Sequence, residues 1–185
     1  MIDRVRYWFW AELAKWSKAI KQSDATLRFY GHALQAKPDD PRVIASMAFE
    51  YAQMGRNREA LATFDRVIAI KPDWDEAHFN RGFLLQQLND HDAALAAFDR
   101  ALACNADHDR ALYGKALSLI STKRQDEAVA PLQRNTKLQP FSPYGWYQLA
   151  RVQFDRGKPD KAQGIIDHLA TFEPKVAAQL ARETG

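Results

Sequence analysis

The side chains in this chain best suited to chemistry are five histidines (His32, His78, His91, His108 and His168), one cysteine, Cys104, and the serine Ser142. Metal binding or general acid–base work would need several of them in one place. The tightest polar cluster, Asp107-His108-Asp109, has the residue types of a metal site, but it falls in a turn between helices, where capping and solvation account for all three. His78 lies on an apolar column and reads as a hydrogen-bonded core histidine, and Ser142 has no base in register with it. There is no glycine-rich phosphate loop, no paired-cysteine motif and no HExxH. No catalytic constellation emerges, so we expect no enzyme activity, no metal and no cofactor. Cys104 reads as a buried, inert thiol on a helix. A single cysteine rules out an internal disulfide and suits a reducing, cytoplasmic compartment.

Charge adds little. The formal net charge is +3 and the pI about 9.0, too small to argue for nucleic acid without a clustered patch. The excess is local: residues 1–37 hold seven Lys/Arg against three Asp/Glu, a net +4, and the remainder is −1. The opening MIDRVRYWFWAELAKW is basic, then apolar, but the run is short, Glu12 interrupts it and Lys15 and Lys18 follow. Neither an export signal nor a membrane span is expected there.

What positions these residues is a repeat. The stretch from Pro41 to Pro72 recurs when shifted by 34 residues. Pro38, Pro72, Pro140 and Pro174 form one column, broken only by Ala106. Ala60, Ala94, Ala128 and Ala162 form a second, with Thr26 in the remaining place, and four residues on stand Tyr30, Phe64, Phe98, Leu132 and Ile166. A small residue recurs near each start: Ala14, Ala48, Gly82, Ala116 and Ala150. The units span 7–40, 41–74, 75–108, 109–142 and 143–176 of a single 1–185 domain.

Each unit reads as two helices and a turn. Ile44, Met47, Ala48 and Tyr51 follow the period of one helix face. Gly55, Asn89 and Gly157 supply the left-handed residue that ends a first helix. A second helix restarts at Asn57, the expected N-cap, carries Ala60, Leu61, Phe64, Val67 and Ile68 on one stripe, and stops at Pro72. Further caps are expected at Ser23 or Asp24, Asp40, Asp73, Asp90 and Ser142. The fourth unit departs most: Lys123 holds the turn, Asn135 replaces an apolar residue, and Pro131 should kink the second helix or delay its start. Arg81 and Lys115 stand where Leu13, Met47 and Leu149 stand elsewhere. After Pro174 a short helix, about 174–183, covers the open end with Val176, Ala177 and Leu180.

The period and the small–alanine–aromatic–proline columns resemble the tetratricopeptide repeat, from Tyr7 to about Val176. The resemblance implies an all-α, right-handed superhelical solenoid of about five helix-turn-helix repeats with a C-terminal capping helix. It further implies a concave groove lined by first helices that binds a segment of another protein. The stripe beside the core stripe places Arg42, Phe49, Phe79, Asn80, Phe83, Arg110, Tyr113, Tyr144, Tyr147 and Arg151 in that groove. The lysine–asparagine–arginine clamp by which some members hold chaperone tails is not matched. Only Asn80 fits, while Ala45, Phe49 and Gly114 occupy its other places and Arg110 offers one cation.

The first helix is apolar over a wide arc. Trp10, Leu13 and Ala14 serve its own repeat, but Trp8, Phe9 and Trp16 have no earlier repeat to cover them. The leading expectation is a non-enzymatic adaptor that binds a partner peptide or helix through an aromatic-lined groove. The alternatives are a scaffold that self-assembles through Trp8, Phe9 and Trp16, and a membrane-associated assembly factor held by those rings with Lys15 and Lys18.

Overall fold

The computed structural model describes residues 2–184, and the described residues form eleven α-helices and no strand. They are α1 (Ile2–Ala19), α2 (Ser23–Ala36), α3 (Pro41–Gln53), α4 (Asn57–Ile70), α5 (Asp75–Gln87), α6 (His91–Cys104), α7 (Asp109–Ser121), α8 (Gln125–Leu138), α9 (Pro143–Asp155), α10 (Pro159–Ala170) and α11 (Pro174–Thr184). Met1 and Gly185, the ends of the expected 1–185 domain, lie outside the described residues. The starts of α3, α5, α7 and α9 are each 34 residues apart, as are those of α2, α4, α6, α8 and α10.

The turn inside each pair is the same object five times. Lys21, Gly55, Asn89, Lys123 and Gly157 all have φ between 58° and 72°. The next residue's N–H reaches back to close the helix: Gln22 to Ser17 O, Arg56 to Tyr51 O, Asp90 to Leu85 O, Arg124 to Leu119 O and Lys158 to Gln153 O, at 2.8–3.0 Å. This left-handed closure satisfies carbonyls that the helix end leaves open. Only the glycines and Asn89 were expected to supply it. The two lysines adopt it as well, and close their helices with the same backbone hydrogen bond.

Caps are fewer than expected. Asp40 accepts from the amides of Arg42 and Val43, and Asp90 from that of Ala93. Asn57 and Ser23 are already the first helical residues, and the cap positions Arg56 and Gln22 make no side-chain bond. Ser142 stands at the cap of α9 without capping it.

The described chain divides into two compact units, one ending at Leu84 and one beginning at Leu85, within α5. In the first unit Ala14, Tyr30, Ala33 and Val43 bury one another, with Tyr7, Trp10 and Phe29 packed against them. Two further clusters follow, Ala48–Ala60–Phe64–Leu84 and Ile44–Val67–Ala77. In the second unit Leu95, Ala116, Leu119, Ala128, Leu132, Leu149 and Val152 form one cluster. Ala150, Ile166 and Leu169 take Ala177 and Leu180 from α11, which gives that helix its covering role. The column residues Thr26, Ala60, Ala94, Ala128, Phe98 and Leu132 are completely buried.

The sequence departures have local reasons. Arg81 Nε lies 2.7 Å from Asp65 Oδ1, and Lys115 Nζ lies 2.5 Å from Asp99 Oδ1. These pairs are themselves one repeat apart, so a cation replaces an apolar residue where the preceding second helix offers an aspartate. Thr26 takes an alanine place because its hydroxyl donates to Gln22 O and is 3.0 Å from the Ser17 hydroxyl. Asn135 donates to Asp109 O at 2.9 Å, and Gly145 makes room for it: a Cβ there would lie 2.3 Å from Asn135 Oδ1. A Cβ on Gly114 would likewise meet the Phe98 ring at 2.6 Å. Despite Pro131, α8 starts in register at Gln125 and runs to Leu138, so the delayed start does not occur. Cys104 corrects the expectation of a buried thiol: it is the last residue of α6, beyond the packed stretch, and it is exposed.

Candidate protein-binding surfaces

The Asp107-His108-Asp109 cluster is taken up by a helix cap and by side-chain bonds of the two aspartates. His108 is the N-cap of α7, with Nδ1 accepting from the Ala111 amide at 3.3 Å, and Asp107 pairs with Arg134 at 2.7 Å. His78 is buried, with Nε2 2.8 Å from Pro72 O. Among the described residues no group of three or more His, Cys, Asp or Glu is placed to hold a metal ion.

Concave space is found in the first unit, between α1 and α3. A groove of about 860 Å³ has Ala11, Tyr30 and Val43 as its floor, Tyr7 and Trp8 as walls, and Arg4, Lys15 and Arg42 on its rim. Asp40 lies at one end, buried, and its charge is spent internally. Tyr7 Oη donates to it at 2.9 Å, Lys37 Nζ at 2.7 Å, and two backbone amides cap it. Burial works to raise the Asp40 carboxyl, but these donors outweigh it and hold the group below the usual carboxylate range. Burial also acts on Tyr7, and with the bond to Asp40 it pushes the phenol up to about 12. Asp3 also lines the rim and Lys15 is paired with Glu12 at 2.5 Å, so what remains is Arg4 and Arg42 against Asp3, a slight positive excess.

The sequence-derived stripe named Arg42 in this groove and missed the α1 side. The signal was available: 34 residues before Arg42, Ala45 and Phe49 stand Trp8, Ala11 and Lys15, all of which line it.

The other stripe residues fare unevenly. Phe49 is exposed, with Lys18 Nζ 4.6 Å from its ring centre, and Lys18 also pairs with the buried Glu50 at 2.9 Å. Phe83 is exposed at 46%, but Phe79 is only 7% exposed and stacks against Phe83 with centroids 6.1 Å apart. Phe79 is thus a correction: one helical turn from Phe83, it rotates inward and is a packing residue. Asn80 is half-buried.

In the second unit Arg110, Tyr144 and Arg151 are exposed and Tyr113 is half-buried. Burial raises the Tyr113 phenol, against a hydrogen bond with Gln148 that lowers it. Tyr147 is not open as expected. Its hydroxyl donates to Glu183 of α11, a bond that raises the phenol and lowers the carboxyl, and Arg151 sits 5.9 Å from its ring.

On α1, Trp10 stacks on Phe29 and His32 at 5.8 and 4.5 Å, as packing within its own repeat requires. Trp8, Phe9 and Trp16 point outward, exposed at 56, 56 and 71%. Among the described residues no helix is long and apolar enough to cross a membrane.

Two family models match the chain, one described as tetratricopeptide repeat over residues 81–143 and one as TPR repeat over residues 50–89. No curated protein matches it in sequence. Solved structures do match in fold. MamA from Desulfovibrio magneticus RS-1 superposes with a TM-score of 0.82 at 16% identity, over 92% of this chain and 96% of that one. YrrB, described as a TPR protein with an unusual peptide-binding site, gives 0.77 at 18% identity, over 94% and 90%. A tetratricopeptide repeat protein from Parabacteroides merdae gives 0.82 at 18% identity, over 95% and 72%. Five in-register helix pairs, buried small–alanine–aromatic columns and both family models agree: the chain belongs to the tetratricopeptide repeat family.

Proposed function

We propose that this chain is a non-enzymatic adaptor that holds an extended or helical segment of another protein against its first helices. The observation that carries this reading is the α1–α3 groove, with its apolar floor, aromatic walls and a rim on which Arg4 and Arg42 outnumber Asp3, while Asp40 is consumed by internal bonds and Lys15 is paired with Glu12. A segment with an aromatic or aliphatic anchor flanked by acidic residues suits such a groove: the anchor gains burial, and the charges gain partners at the exposed rim. Phe49, Asn80 and Phe83 hold stripe positions in the first unit, and Arg110, Tyr113, Tyr144 and Arg151 hold the equivalent positions of the second unit's own first helices. YrrB, similar in fold, is described as having an unusual peptide-binding site, which is in keeping with this use of the fold.

The test is selection from a random peptide display library on the full chain. Acidic peptides with an apolar anchor should be enriched, and Arg42→Glu should weaken the best of them at least tenfold with melting unchanged. Enrichment of peptides without acidic residues, or binding indifferent to Arg42→Glu, refutes the groove.

A further inference from the structure

The groove reading uses the outer face of α1 only at Trp8, which stands on the edge the two surfaces share. Val5, Trp8, Phe9, Trp16 and Ile20 are all more than half exposed, and they are five of the eleven exposed large hydrophobic residues described in the chain. Val5, Trp8, Phe9 and Trp16 edge, with Leu13, a shallow trough of about 630 Å³ along the helix, and Ile20 stands just past the end of α1. An apolar patch this concentrated marks an interaction surface.

We propose that this face binds a second copy of the same chain, the two α1 helices packing antiparallel about a two-fold axis that passes between Glu12 and Leu13. The spacing carries the choice of occupant. Val5 and Ile20 stand equally far from that midpoint, and so do Phe9 and Trp16. A two-fold interface must be complementary to itself. Antiparallel pairing about this point sets Phe9 against the partner's Trp16 twice, and Val5 against the partner's Ile20 twice.

Charge agrees. Glu12 lies near the centre of the face and already contacts Lys15 at 2.5 Å. In the antiparallel pair the two Glu12 carboxylates flank the axis, and the Lys15 of each chain comes within about one turn of both, so two cations offset two like charges at the centre. Lipid acyl chains offer a central carboxylate nothing comparable.

Area agrees as well. A covered aromatic side chain buries roughly 150–250 Å² in all. Three rings exposed at 56–71%, with Val5 and Ile20, therefore leave roughly 500–600 Å² per copy to be covered. Two copies lose about 1,000–1,200 Å², the lower end of specific interfaces, so the dimer should be concentration-dependent.

Sedimentation velocity of the full chain across a concentration series is the test. Wild type should shift from monomer towards dimer as concentration rises. Phe9→Glu with Trp16→Glu should stay monomeric over the same range with helical circular dichroism retained. Because that variant replaces two large rings, a milder set accompanies it. Glu12→Lys and Lys15→Glu should each weaken the dimer several-fold, and the double exchange should restore it. In a Cys104→Ser background, Phe9→Cys mixed with Trp16→Cys should give a disulfide-linked heterodimer in preference to either homodimer. A chain monomeric at every concentration overturns the proposal. So does a dimer indifferent to these substitutions, or a monomer that instead sediments with phosphatidylserine–phosphatidylcholine vesicles through the same residues.

Discussion

Lys123 and Lys21 should each be improved by replacement with glycine. Both hold φ near +60° in turns where the equivalent residues include Gly55 and Gly157. A residue with a Cβ in that region costs about 1–2 kcal/mol, because the Cβ crowds the following carbonyl. Glycine removes that strain but widens the unfolded ensemble, which returns about 0.4–1 kcal/mol. The net expectation is a gain of about 0.5–1 kcal/mol per site. Both lysines are exposed, so little packing is lost with the side chain. Gly55→Ala and Gly157→Ala are the matched controls. A Cβ at either glycine would meet no atom within 4 Å, so any loss there reports backbone strain alone, about 1 kcal/mol. Urea unfolding followed by circular dichroism reads the effect as a midpoint shift. With a slope of about 2 kcal/mol per molar, the lysine variants should move up by about 0.25–0.5 M and the glycine variants down by about 0.5 M. Lysine variants that stay put or fall while the glycine controls fall would refute the strain argument.

Phe98→Ala and Phe64→Ala should each cost about 3–5 kcal/mol, as emptying a core aromatic site does. Phe79→Ala should resemble them, whereas Phe83→Ala should cost under about 1 kcal/mol; equal losses at 79 and 83 would contradict the assigned burial. Gly114→Ala should cost about 1–3 kcal/mol by driving a methyl into the Phe98 ring, and Phe98→Leu should recover part of that loss in the double variant. The pH dependence has two limbs. Asp40 is held below its ordinary value, so its contribution is complete above about pH 4 and is lost as pH falls through the folded-state value. Tyr7 is raised to about 12, so its contribution is complete below about pH 10 and is lost as pH rises through about 12. Urea midpoints of wild type and Tyr7→Phe should differ by a constant amount between about pH 5 and pH 10, converge above that range, and draw together below it as Asp40 protonates. Asp40→Asn should flatten the acid limb.

Helix positions were legible because they rest on local chemistry repeated five times. A proline that cannot donate, a small residue at a close approach and an apolar stripe at the helical period recur together, and the helices begin in that register. The same register identifies the core, since burial follows the alanine and aromatic columns without exception. The groove was legible in part. The stripe through Arg42, Phe49 and Phe83 is a matter of angle around a helix, which periodicity supplies, and one more shift of the register reaches Trp8, Ala11 and Lys15.

Tertiary structure decided what depends on neighbours. Phe79 and Phe83 lie on one stripe, yet one is buried and the other exposed, because coverage depends on what packs alongside the helix, which periodicity does not record. Tyr147 is engaged because α11 folds back to bring Glu183 to it. Cys104 is exposed because the stripe runs out at a helix end. Arg81 and Lys115 take apolar places because Asp65 and Asp99, sixteen residues earlier, come within ion-pair distance only once the helices pack. The sequence by itself determined the repeat, its helices and its core, because those depend on interactions within a period. Which faces stay open to a partner depends on contacts between elements distant in the chain, and those exist only in the folded molecule.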